Sequence, residues 1–166
     1  LCNFRKKIMN IFFLDKTPSF SAQYLCDKHI PKMLLESAQM LSTTVQSYIG
    51  RIDELYKPAY PNHPMTKWVG KNRSNFEWAL VNAIEIEEEY EIRFNKIHKS
   101  GQIITEIELN DLRFKLPEGD FTEPPQCMPD EYKDKDYVVA YRRYYNADKK
   151  YFAKWEKGRQ QPDWWQ

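Results

Sequence analysis

Apolar positions recur with helical spacing in three long stretches, and proline-rich segments separate them. Over residues 27–47, Met33, Leu34, Leu41 and Val45 fall on one face. Asp27 is the candidate N-cap, and Pro31 lies in the first turn, where its missing N–H costs least. Over 72–97, Phe76, Leu80, Ala83, Ile84, Tyr90 and Phe94 keep the same period, and the run EIEEEYE makes an acidic outer face. Over 136–157, Val138, Tyr141, Tyr145, Phe152 and Trp155 point inward, and Gly158 marks the end of the helix. Residues 50–66 and 116–130 carry the prolines of two irregular loops. NIFFLD (10–15) is a strand or a core-docked arm, TPSF is a turn, and 102–112 is a short helix or a strand. The pattern predicts a mostly α, compact single domain over 9–166, with three long helices and Pro-rich structured loops. Met9 is the expected natural start, which makes 1–8 an extension or tag remnant.

Composition narrows the chemistry. A chain of 166 residues supports one core. Five glycines, with no GxGxxG and no P-loop pattern, leave no Gly-rich phosphate cradle. The net charge of +1 exerts no global pull on nucleic acid or anionic lipid, so any basic footprint is local. Three widely spaced cysteines suit a reduced, cytoplasmic protein. No stretch reaches the roughly 18 apolar residues of a membrane span, and no signal peptide is evident.

The candidate chemistry begins in the first long helix. His29 and Glu36 lie seven residues apart, on one face two turns from each other. Leu34, Leu35 and Met40 surround Glu36, and a carboxylate desolvated there has its pKa raised, which suits acid–base work. The alternatives for Glu36 are a watery helix boundary or a lysine partner. His63, stiffly held in PNHPM, faces Glu36 or bonds a backbone carbonyl. His98 reads as a favourable charge at a helix C-terminus. Asp27, His29, Glu36 and His63 form the candidate catalytic set. Their spacing matches no zinc or di-iron pattern, so no metal and no cofactor is expected.

The third helix carries Arg142, Arg143, Lys149, Lys150, Lys154 and Lys157, of which Arg143, Lys150, Lys154 and Lys157 share one stripe. Interleaved tyrosines and the terminal Trp164 and Trp165 supply stacking surfaces, a combination that suits nucleic acid. A solvated face over core aromatics is the other reading.

These pieces resemble the phage pyrimidine-dimer DNA glycosylases of the endonuclease V type. The resemblance rests on Asp27-Lys28-His29 followed by Glu36, on Asn62-His63, on EIRF (91–94) and on the segment from Met128 to Lys133. Pro162-Asp163-Trp164-Trp165 adds a similar close. It implies a mostly helical monomer in which an N-terminal amine attacks the sugar carbon of a damaged nucleotide in double-stranded DNA. Glu36 would assist, with His29 and Asp27 beside it and Trp164-Trp165 bordering the DNA. The chain departs from that pattern at its N-terminus, beside Glu36 and in its low net charge of +1. Met9 is internal, and Leu35, Ser37 and Gln39 stand where the family has arginines. Lys28 or Lys32 is then the replacement amine. The expected function is cleavage of an N-glycosidic bond in DNA or a nucleotide. A non-catalytic DNA- or protein-binding module and a metal-dependent hydrolase are the alternatives.

Overall fold

Leu34, Ala38, Leu41 and Val45 of the first long stretch are fully buried, and burial of each Leu contributes roughly 1.5–3 kcal/mol. In the computed structural model, which describes residues 9–166, they belong to α2 (His29–Ile49), the helix that α3, α4 and α5 pack against. Ahead of it, residues 9–14 form no strand. They run as a buried arm (Phe13 and Leu14 have no exposed surface) that leads into the short helix α1 (Pro18–Gln23), where a turn is expected from TPSF.

Helix α3 (Pro64–Val69) starts at the last proline of the first loop, and α4 (Arg73–Phe94) follows. The Asn72 carboxamide caps α4 by accepting from Asn75 N at 2.9 Å. Asn95, in the left-handed region at φ +51°, ends it. The ambiguous 102–112 segment is helical: α5 (Lys99–Leu109), followed by a 3₁₀ turn at Leu112–Lys115. After a second 3₁₀ turn at Asp130–Tyr132 comes α6 (Tyr137–Lys149), capped by Asp136 through Val138 N at 2.8 Å.

The fold is mostly α, with no strand among the described residues. Its third main helix is shorter than the period suggests. The chain leaves helix after Lys149 because tertiary partners replace intrahelical ones. Lys154 O accepts from Asp27 N at 2.8 Å, and Trp155 Nε1 donates to Tyr24 O at 3.1 Å. Glu156 N donates to Asp27 Oδ2 at 2.7 Å. Phe152 and Trp155 are therefore apolar anchors of a C-terminal segment folded back onto the start of α2. Gly158, at φ +83°, serves a turn in that segment rather than a helix end.

Candidate active site around Glu36

Glu36 is 7 % exposed and lines a cavity of about 500 Å³ with Met9, Pro31, Lys32, Tyr60 and His98. Three elements bring these groups together. Helix α2 carries Lys32 and Glu36 at i and i+4, and the Lys32 Nζ stands 3.9 Å from Glu36 Oε1. The N-terminal arm supplies Asn10, whose backbone N–H donates to Glu36 Oε2 at 3.1 Å. That arm is held from behind: Asn10 Nδ2 donates to Cys127 O, and the fully buried Tyr141 hydroxyl donates to Pro125 O at 2.7 Å. The loop before α3 supplies Tyr60, a non-glycine residue in the left-handed region at φ +51°. Side chains of α2 pin that loop. Thr43 Oγ1 accepts from Ala59 N at 2.9 Å, and Gln46 Nε2 donates to Tyr56 O at 2.8 Å.

The histidines are placed differently from the sequence expectation. His29 is 1 % exposed and sits among Phe12, Tyr145 and Phe152, with Nδ1 3.0 Å from the Tyr145 hydroxyl. Burial, aided by Lys149, Lys32 and Lys28, holds its pKa well below the usual 6.5, so the ring is neutral. Two turns of α2 separate it from Glu36, and the helix directs it toward the core rather than into the Glu36 cavity. His63 is the N-cap of α3. Its Nδ1 accepts from Met65 N at 3.1 Å, and it lies outside the residues lining the cavity. His98, expected at a helix C-terminus, is instead the N-cap of α5, where Nδ1 accepts from Ser100 N at 3.0 Å. Burial lowers its pKa as well. A neutral ring that accepts at Nδ1 carries its proton on Nε2, so His98 brings a hydrogen-bond donor to the cavity that holds Glu36.

Asp27 does not cap α2. Its carboxylate takes the Arg93 guanidinium at 3.1 Å and the Glu156 N–H. Arg93, whose side chain has no exposed surface, also bonds Glu89 at 2.8 Å and the carbonyls of Leu25 and Gln23. Glu89 is shared with Arg159, and these cations hold its carboxyl below the usual range against the opposing effect of burial. Asp27 thus fixes the C-terminal segment against α2 and α4.

The single basic stripe does not form, because the helix ends at Lys149. Arg142 binds Leu14 O and Asp15 at the N-terminal arm, and Arg143 pairs with Asp134 at 3.1 Å. Lys149 is 13 % exposed at its side chain, pairs with Asp148 and lies over the Phe12 and Tyr144 rings. Lys150 flanks a separate shallow hollow with Arg143, and Lys154 and Lys157 belong to the folded-back segment. Trp164 and Trp165 are half-buried. They pack edge-on against Tyr145, and Arg142 covers the Trp164 ring.

The sequence pattern carries no sign of Tyr60, points His98 to a helix C-terminus instead of the Glu36 cavity, and shows the buried Arg93 only as part of EIRF. Among the described residues, no three His, Cys, Asp or Glu side chains converge as a metal-ligand set. No helix there is long and apolar enough to cross a membrane. Residues 9–99 match the family model described as pyrimidine dimer DNA glycosylase. No curated protein and no solved structure matches the chain.

Proposed function

Because the chain belongs to the pyrimidine dimer DNA glycosylase family, we propose that it cleaves the N-glycosidic bond of a damaged nucleotide in double-stranded DNA at the Glu36 cavity. The observation that carries this reading is the pairing of a buried carboxylate with a half-exposed primary amine, Lys32, in one open cavity. The Asn10 nitrogen is a peptide amide with Met9 before it, so its lone pair is delocalised and it serves as a donor to Glu36.

In this mechanism the Lys32 ammonium gives a proton to the adjacent Glu36 carboxylate, and the amine so formed attacks C1′ of the sugar. The C1′–N bond breaks, and the base departs with that electron pair and takes up the proton held by Glu36. Glu36 receives the proton lost by the attacking nitrogen. The sugar ring then opens: the C1′–O4′ electrons go to O4′, which takes the proton from Glu36 and so restores the carboxylate, and the nitrogen lone pair completes an iminium. Removal of a C2′ proton by the Glu36 carboxylate expels the 3′-phosphate and nicks the strand. The target leaves the base stack to reach the cavity. His98 Nε2–H and the exposed Tyr60 edge are the groups placed to orient it.

A second amine position is compatible with the same geometry. In a chain processed to begin at residue 10, the nitrogen 3.1 Å from Glu36 Oε2 would be an α-amine. His29 and Asp27 then act on the site through the fold, holding the arm and the C-terminal segment in place. Arg143, Lys150, Lys154 and Lys157 are separate phosphate contacts rather than one stripe.

The test is strand cleavage of a duplex with a single pyrimidine dimer. The protein nicks it, and Glu36→Gln lowers the rate by roughly 10²–10⁴-fold while binding to the duplex persists. Unchanged cleavage in Glu36→Gln overturns the reading.

A further inference from the structure

A second cavity, of about 400 Å³, opens where the start of α2, the end of α4 and the folded-back C-terminal segment meet. Its size falls within the roughly 300–1,000 Å³ of small-molecule sites. Phe94 and Phe152 are its rings, and Lys28, Lys154 and Lys157 stand on its rim. Lys28 Nζ lies 5.0 Å from the Phe152 centroid, and Lys157 Nζ lies 5.2 Å from that of Phe94.

The charge balance is positive. The Asp27 carboxylate is taken up by Arg93 and by Glu156 N–H, and Glu156 pairs with Lys154 at 3.5 Å. Lys28 and Lys157 form no salt bridge among the described residues and keep their charge for a ligand. Pro31 lines this cavity and the Glu36 cavity alike, so the two adjoin across the first turn of α2.

We infer that this cavity binds one nucleotide unit of the nucleic-acid strand, its base on Phe94 and Phe152 and its phosphate on Lys28 and Lys157. Both parts are needed. An exposed ammonium over a ring is worth roughly a factor of 2–5, whereas stacking of one base is worth roughly 5–150. A base therefore displaces each lysine from its ring, and the freed ammonium is already within side-chain reach of the phosphate. The lysines shield the apolar rings in the empty protein and become anion ligands in the filled one. This inference rests on the proposed chemistry at Glu36 only for its biological setting. It gives that site a neighbouring subsite that grips the strand.

Calorimetric titration with deoxyadenosine monophosphate, deoxyadenosine and deoxyribose 5-phosphate tests it. The expected result is that the nucleotide binds at least about fivefold more tightly than either fragment. Lys28→Gln with Lys157→Gln, both exposed and fold-neutral, removes the advantage over the nucleoside and flattens the salt dependence. Phe94→Leu removes the advantage over the sugar phosphate. Glu36→Gln leaves all three affinities unchanged, so a failure of the glycosylase chemistry is told apart from a failure of the subsite. Equal binding of nucleotide and sugar phosphate, absence of nucleotide binding, equal competition by an acidic peptide, or indifference to the lysine substitutions overturns the proposal.

Discussion

At the scale of residues, the site reduces to a carboxylate, an amine and the groups that keep them together. Glu36 was legible as an anomaly, a charged side chain among leucines at a buried register of the helix. Its partner was legible only as one of two candidate lysines, because Lys32 one turn earlier also reads as an ordinary solvated i,i+4 pair. The histidines were visible as residues but not as roles. His63 and His98 both use Nδ1 to accept a backbone N–H at a helix start, and local sequence gives no sign of which ring nitrogen faces which cavity. Lys32→Arg separates charge from nucleophilicity. It keeps a cation beside Glu36, and with it the fold, yet removes the primary amine. Strand cleavage should fall by at least about 10²-fold with duplex binding retained, as read by parallel nicking and filter-binding assays. Cleavage within a factor of two or so of the parent would exclude Lys32 as the attacking group.

Among elements, the C-terminal segment is the surprise. The aromatic period of Tyr145, Phe152 and Trp155 fits a helix, and periodicity alone cannot see that Asp27 and Tyr24 offer better partners to the backbone and the indole. The cations at 150, 154 and 157 thereby leave the helix face. Arg93 secures the arrangement by joining α4 to Asp27, Glu89 and two carbonyls ahead of α2. Arg93→Ala leaves a buried Asp27 carboxylate without its cation and should cost about 3–5 kcal/mol of stability, measured by urea unfolding. A loss below about 1 kcal/mol would mean that the network is not what docks the segment.

For the whole molecule, the mostly α fold and its three main helices followed from hydrophobic periodicity, since the faces of α2 and α4 are long and regular. The buried arm could not be read that way, because a short apolar run has no period of its own. The three histidines set the pH response. Each has its pKa lowered in the fold, chiefly by burial. Below the unfolded value of about 6.5 the unfolded chain therefore binds more protons than the native one, and stability falls with pH. The Glu89 carboxyl, depressed in the fold, adds a further loss below about 4.5. Thermal melts should show a falling Tm from neutral pH toward pH 5 or so, with a shallower slope in His29→Gln. A Tm that is flat or rises over that range would contradict the neutral, buried placement of His29.

One measurement reaches the mechanism most directly: borohydride trapping of the 166-residue chain on a duplex with an abasic site, followed by peptide mapping. A C=N bond between protein and sugar is reduced to a stable cross-link. The account predicts a covalent protein–DNA adduct carried by the peptide that contains Lys32, and its loss in Lys32→Arg. Failure to trap any adduct, or an adduct mapped outside the Glu36 cavity, would contradict it.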